Sequence, residues 1–288
     1  MSTPIVYLNG EFLPADEAKV SVLDRGFVFG DGVYEVIPVY GRHPFRLDQH
    51  LDRLERSLAG IRLADPLGRE RWREVLEELI RQNAGEGDLS VYLQVTRGVA
   101  RRDHGFPDGV QPTVLAMCNP IAPLDPEVAE HGVAAITLDD IRWQYCNIKA
   151  ITLLPNILLR QQALERGAVE AILVRDGLVT EGAASNVFVV REGVLYTPPT
   201  GPRLLPGITR DLVVELARDN DIDCREQDIP GEALREAEEI WLTSSTKEIV
   251  PVTRLDELPI GSGRPGPLWQ RLYAIYQDYK RALREAAA

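Results

Sequence analysis

Apolar and polar positions follow two periods along the first 120 residues. Ile5-Val6-Tyr7-Leu8 followed by Asn9-Gly10 predicts a strand running into a tight turn. A second strand is predicted over 33–40, ended by Gly41. Leu47, Leu51, Leu54, Leu58 and Ile61 recur at spacings of four, three, four and three, the apolar stripe of a helix. A further helix is predicted over 69–83, with Trp72, Val75, Leu76, Leu79 and Ile80 facing inward. Leu89, Val91, Leu93 and Val95 alternate with Ser90, Tyr92, Gln94 and Thr96, the pattern of a half-buried strand, and 112–118 reads as its neighbour. The stretch 119–126 then carries three prolines in eight residues, which neither a helix nor a central strand continues through, so a domain boundary is placed there.

Beyond it, strands are predicted over 133–138, 169–175, 186–190, 194–197, 222–227 and 239–243, and helices over 154–166, 209–220 and 268–286. The short gaps between the central strands point to hairpins rather than to crossovers throughout. The expectation is a mixed α/β (α+β) fold of two domains. A small N-terminal α/β domain spans 1–118 and a linker 119–126. A larger C-terminal domain, 127–288, holds a barrel-like sheet with flanking helices.

Charge narrows the partners. With 32 Lys plus Arg against 44 Asp plus Glu, the chain carries −12, unlike a nucleic-acid binder or a protein that seeks an anionic membrane. No apolar run approaches the ~18 residues of a bilayer span. Met1-Ser2-Thr3-Pro4 has neither the basic nor the apolar part of a signal peptide. Cys118, Cys146 and Cys224 are an odd, scattered set, read as reduced thiols of a cytoplasmic protein. The four histidines show no metal-binding spacing, and no metal is expected.

Only four of the 32 basic residues are lysines, so a search for a reactive amine is short. Lys19, Lys247 and Lys280 sit in polar surroundings and read as solvated cations. Lys149 lies in Cys146-Asn147-Ile148-Lys149-Ala150-Ile151. An amine among apolar neighbours loses hydration, which favours its neutral, nucleophilic form; a lysine whose head reaches water is the other reading. Glu181 closes an apolar strand and precedes the small residues Gly182-Ala183-Ala184-Ser185, so it faces either an open pocket or solvent. Thr209, in Leu205-Pro206-Gly207-Ile208-Thr209-Arg210, suits the N-cap of a helix, whose free N–H groups either bind an anion or are simply capped. Thr243-Ser244-Ser245-Thr246 offers four hydroxyls at a strand end. Arg102 and His104, two residues apart, either converge on one carboxylate or form a solvated loop.

Taken together, seven stretches in order resemble the fold-type IV pyridoxal-phosphate enzymes, and within them the D-amino acid aminotransferases. They are Asp24-Arg25-Gly26-Phe27-Val28-Phe29-Gly30-Asp31-Gly32-Val33-Tyr34-Glu35; His50-Leu51-Asp52-Arg53-Leu54; Gln94-Val95-Thr96-Arg97-Gly98; Asp140-Ile141-Arg142-Trp143 with Ile148-Lys149; Val179-Thr180-Glu181-Gly182 with Ser185-Asn186-Val187-Phe188; Pro206-Gly207-Ile208-Thr209-Arg210; and Thr243-Ser244-Ser245-Thr246-Lys247-Glu248.

The resemblance implies pyridoxal 5'-phosphate as cofactor. It implies that Lys149 forms the Schiff base and shuttles the proton at Cα, and that Glu181 pairs with the pyridine nitrogen. Arg53, Ile208, Thr209 and Ser245 would bind the phosphate, with Leu205 under the ring. Tyr34 would line the substrate side, and Arg102 and His104 would grip the substrate carboxylate. It also implies a homodimer, sites at the domain boundary, and ping-pong transfer of the amino group from a D-amino acid such as D-alanine or D-glutamate to a 2-oxo acid. An L-branched-chain aminotransferase and an aminodeoxychorismate lyase are the alternatives on the same fold. Asp103 departs from an all-basic trap by adding an acid between Arg102 and His104.

Overall fold

Asn9 and Gly10 both adopt positive φ, 51° and 106°, as a two-residue hairpin turn requires, and so join β1 (Ile5–Leu8) to β2 (Glu11–Pro14). The computed structural model describes residues 3–83, 85 and 87–285, which fall into two units. The first comprises the chain up to Ile121, residues 148–152 and the C-terminal piece from Leu283; the second comprises 122–147 and 153–282. The change of unit after Ile121 lies inside the proline-rich stretch, while 148–152 rejoins the first unit from far along the chain.

After the hairpin, the first unit continues with α1 (Arg25–Phe29), β3 (Gly32–Tyr40), β4 (His43–Pro44), α2 (Leu47–Gly60), α3 (Arg69–Asn83), β5 (Leu89–Thr96) and β6 (Thr113–Pro120). All six strands pair antiparallel in the order β2-β1-β6-β5-β3-β4. The predicted strand over 112–118 is thus shifted at both ends and runs into the first proline of the boundary stretch, tolerated there because Pro120 is the last residue of β6. Period-2 alternation puts Val33, Glu35 and Ile37 of β3 on one fully buried face. Leu51, Leu54 and Leu58 of α2 and Trp72, Val75, Leu76 and Leu79 of α3 form one core with Val33, Ile37, Val91, Leu93 and Val95. The same inward side of α2 also carries His50, Arg53 and Ser57, all buried.

The second unit runs α4 (Pro126–His131), β7 (Val133–Asp139), α5 (Leu154–Glu165), β8 (Glu170–Arg175), β9 (Leu178–Gly182), β10 (Asn186–Arg191), β11 (Val194–Thr197), α6 (Ile208–Asp219) and β12 (Cys224–Glu226). A 3₁₀ segment (Gly231–Glu236), β13 (Glu239–Ser244), β14 (Glu248–Leu255), β15 (Leu258–Pro259) and α7 (Pro267–Glu285) follow. The sheet order is β12-β11-β10-β13-β14-β7-β8-β9, with β15 on β14. It is mixed: β7 runs parallel to β14 and β8, β11 parallel to β12, and the other pairs are antiparallel. The sheet curls, so that β9 packs beside β10. It is packed by a core that includes Ile172, Val187, Val189, Ile240 and Val252, with a smaller cluster of Leu159 and Ala163 of α5 against Ile136, Ala171 and Leu173.

Three sequence expectations are corrected. No strand is predicted over 248–255, yet β14 is central despite Pro251 within it. The proline sits opposite Trp241 of β13, before the ladder to β7 begins at Val252 and Val133, so no bond of that ladder is lost. Lys280 is not a solvated cation: it is 6 % exposed and ion-paired with Glu248, which also accepts from Gln277 Nε2 at 2.6 Å. Thr209 is not the N-cap of α6; that position is Gly207, and Thr209 lies two residues inside the helix. No helix among the described residues is long and apolar enough to cross a membrane.

Candidate active site

In the first unit, residues 148–152 return to lie beside β3. The Tyr34 amide donates to the Lys149 carbonyl at 2.9 Å, that of Ile151 to the Gly32 carbonyl at 3.1 Å, and Val33 and Ala150 form an antiparallel bridge. The Lys149 amide donates to Ser57 Oγ at 3.2 Å. Backbone bonds to a strand and a helix thus fix where the Lys149 side chain starts. Its Nζ lies 4.2 Å from the centroid of the Tyr34 ring, a cation–π contact. Tyr34 in turn stacks on Tyr92 with centroids 5.7 Å apart. Burial, reinforced by Tyr34, pushes the Tyr92 phenol up to about 12.

On the opposite face of β3, Glu35 is fully buried. Its carboxylate accepts from Arg53 Nε and Nη2, both at 2.8 Å, and contacts His50 Nδ1 at 2.8 Å. Burial alone would raise this carboxyl. The Arg53 charge and hydrogen bonds, with the His50 bond, outweigh it and hold Glu35 well below the usual carboxylate range. Burial, only partly opposed by Glu35, pushes the His50 imidazole down, so it is neutral and donates through Nδ1. Its buried Nε2 has no hydrogen-bond partner. Glu35 therefore fixes the plane of the Arg53 guanidinium.

Arg102 and His104 form another group in this unit. Both are exposed and both lie against Phe29, the Arg102 Cζ at 5.1 Å from the ring centroid and the His104 ring at 5.4 Å.

In the second unit, Glu181 lies one residue before the end of β9 at 5 % exposure. It contacts Arg142 Nη1 and accepts from Asn186 Nδ2 and the Leu205 amide, each at 3.1 Å. Arg142 is shared: its Nε and Nη2 reach Asp140 at 2.8 and 2.9 Å, and it also donates to the Arg203 carbonyl at 3.3 Å. Burial pushes Glu181 up to about 7, against the pull of Arg142 and the Leu205 amide. Asn186 also donates to the Leu205 carbonyl at 2.9 Å, so one amide ties Glu181 to the turn that opens α6. A Cβ on Gly207 would stand 2.0 Å from Asn186 Oδ1, which is why that turn needs glycine. Ile208 and Thr209 occupy the first helical positions, where N–H groups lack intrahelical partners. Thr209 Oγ1 is buried there without a partner, as is Thr243 Oγ1 on β13, whose residue faces Asn186 in register. Ser245 lies half-buried in the β13–β14 turn.

The structure thus joins Tyr34 to Lys149, Arg102 to His104 through Phe29, and Glu181 to Leu205 and the start of α6. The linking residues Asn186, Arg142, Ser57, Glu35 and His50 carried no assigned role in the sequence reading. All but Ser57 lie in the motifs quoted above, but pairing between distant segments is what gives them one. Orphaned hydroxyl and amide donors at the start of a helix suit a phosphate, and a buried carboxylate raised toward neutrality suits a basic ring nitrogen. Both fit the cofactor that the motifs imply. Among the described residues no group of three or more His, Cys, Asp or Glu is arranged for a metal ion.

Comparison with known proteins agrees with this chemistry. The model of the amino-transferase class IV family matches residues 32–255, and the chain belongs to that family. It is an aminotransferase of the fold-type IV class. The chain is 43 % identical over 273 residues to a D-alanine aminotransferase of Bacillus licheniformis, covering 95 % of this chain and 96 % of that one. It is 40 % identical over 276 residues to one from Staphylococcus aureus (strain MSSA476), covering 95 % and 97 %. Among solved structures it superposes on the branched-chain amino acid aminotransferase of Escherichia coli with a TM-score of 0.91 at 30 % identity, covering 96 % and 94 %. A T.th. branched-chain enzyme with pyridoxamine 5'-phosphate gives 0.91 at 29 %, covering 97 % and 95 %.

Proposed function

We propose that this chain transfers the amino group of D-amino acids of the alanine and glutamate type to 2-oxo acids, with pyridoxal 5'-phosphate. The observation that carries the reading is the pair of buried, prepared ends. One is the raised carboxylate of Glu181. The other is the start of α6, with its orphaned Thr209 hydroxyl tied to Glu181 through Asn186 and Leu205. Identity near 40 % to D-alanine aminotransferases over almost the whole chain supports the choice of substrate.

The bound cofactor supplies a ring that accepts the electron pair released when Cα loses its proton. Lys149 would carry the cofactor and, once its amine is released, would hold the Cα proton on Nζ. Glu181 would keep the pyridine nitrogen protonated. Ile208, Thr209, Ser245 and the guanidinium of Arg53, whose plane Glu35 fixes, would hold the phosphate, and Leu205 would pack against the ring. Tyr34 lines the substrate side, while Arg102 and His104 fix the carboxylate and with it the hydrogen offered to Lys149. The active unit is a homodimer in the cytoplasm. Exposed Leu154, Ile157 and Leu158 on α5 support a covered face, and three free thiols support a reducing compartment.

The test is a single-turnover experiment: the yellow holoenzyme is mixed with D-alanine or L-leucine and the loss of cofactor absorbance is followed. Fast bleaching by D-alanine is expected, with borohydride labelling on Lys149. Preference for L-leucine, or a label on Lys19, Lys247 or Lys280, overturns the assignment.

A further inference from the structure

We propose that Arg25 and Asp31 form a clamp that positions the 102–106 loop, and through it Arg102 and His104. This inference rests on the reading of those two residues as the carboxylate trap.

The loop has no regular secondary structure, and its two basic side chains are exposed. An unrestrained loop would spend binding energy on becoming ordered each time a substrate arrives. Arg25 opposes this from below. It is 4 % exposed and opens α1, whose start is fixed by Asp24: that carboxylate accepts from the Gly26 amide at 2.7 Å, Thr113 Oγ1 at 2.6 Å and Thr96 Oγ1 at 3.1 Å. The Arg25 Nη1 donates to the carbonyls of Asp103 at 2.6 Å and Gly105 at 3.2 Å, the residues flanking His104. Its Nε donates to Asp31 at 2.8 Å. Its Cζ lies 4.9 Å from the Phe29 ring centroid, the ring that Arg102 and His104 also touch.

Asp31 serves a second arginine. Arg97 Nε and Nη2 reach it at 2.8 and 3.1 Å, and the Arg97 Cζ lies 3.8 Å from the ring centroid of Phe106, at the far end of the loop. Arg97 Nη2 is also anchored on the Ile61 carbonyl at 2.7 Å. One carboxylate thus aligns two guanidinium groups, one on the loop's backbone and one on its terminal ring. Burial works against ionisation of Asp31, but Arg97 and Arg25 hold its carboxyl below the usual range, so the hub stays charged at neutral pH. Arg25 contacts no substrate atom in this scheme; it is a positioning residue.

The experiment is a double-mutant cycle on the holoenzyme, reading KM and kcat for D-alanine and cofactor affinity by absorbance titration. Arg25→Lys keeps the charge but loses the planar fork. It is expected to raise KM on the order of tenfold, with kcat within about twofold and cofactor affinity unchanged. In an Arg102→Leu/His104→Leu background the same change should cost less than about twofold, because the groups it positions are gone. An equal loss in both backgrounds overturns the clamp. A wild-type KM in the Arg102→Leu/His104→Leu protein instead overturns the carboxylate-trap reading. Phe29→Leu, which keeps apolar volume but removes the shared ring, should raise KM in the same way. If Arg25→Lys fails to fold and Phe29→Leu has a wild-type KM, the proposal falls.

Discussion

Two buried glutamates, one in each unit, meet an arginine in opposite ways. Glu35 receives two hydrogen bonds from Arg53 and one from His50, and is held far below the usual carboxylate range. Glu181 contacts Arg142, yet is pushed up to about 7. Burial raises both. The difference is the ownership of the arginine: Arg142 gives its Nε and Nη2 to Asp140, and the Asp140 charge itself disfavours a second anion. A buried carboxylate–arginine pair therefore does not fix a protonation state; the number of acids sharing the cation does. Glu35 is a permanent anion suited to holding a guanidinium still. In the proposed function, a protonated ring nitrogen would complete the charge balance of Glu181.

The contrast breaks most severely at Glu35. Glu35→Gln removes the buried carboxylate that accepts two hydrogen bonds from Arg53, and is expected to cost about 3–5 kcal/mol of stability, read as the midpoint of urea unfolding. A change under about 1 kcal/mol would show that the Arg53 charge is neutralised elsewhere. Glu181→Gln should act on rate instead. The cofactor stays bound, and single-turnover Cα deprotonation slows about a hundredfold, on the order of 3 kcal/mol. An unchanged rate refutes its role at the ring nitrogen.

The pH dependence of the cofactor-free protein sharpens the comparison, because the two signs differ. The folded Glu181 value lies above its ordinary 4.5, so the folded state holds the proton longer, and stability is lost as pH rises from about 4.5 to about 7. The loss is up to about 3 kcal/mol and should be absent from Glu181→Gln. Glu35 is shifted the other way: its contribution is present above pH 4.5 and is lost on acidification through its depressed folded value. Unfolding midpoints of wild type and both variants between pH 2 and 8 separate the two, the Glu35 loss falling below pH 4.5 and the Glu181 loss above it.

The smallest effect is the most discriminating. Asp140→Asn frees Arg142 for Glu181, and should lower the Glu181 value by about one unit, worth about 1.4 kcal/mol, seen in its carboxyl infrared band. A value that stays near 7 would mean that burial alone sets it.

How much of this was legible beforehand depended on range. The helices α2 and α3, the β1–β2 turn and the strand β5 follow from neighbours within a few residues, where periodicity and turn chemistry act. Lys149, Glu181, Thr209, Arg102 and His104 stood out as candidates by their residue type and neighbours, while the roles proposed for them and for Arg53 rest on the motifs that resemble the family. The surroundings that long-range pairing creates were not legible. Lys280 stands in a polar helix, yet is buried on Glu248, 32 positions earlier. Pro251 is admitted to a central strand because the β7 ladder begins one residue after it. Arg142 reaches Glu181 across 39 positions while Asp140, two residues away, holds its other nitrogens. Sequence by itself determined the helices and strands whose pattern is local, and which residue types are available for chemistry. Tertiary structure alone decided which groups are desolvated and which charges are shared, because dielectric surroundings and ion pairing depend on segments that only folding brings together.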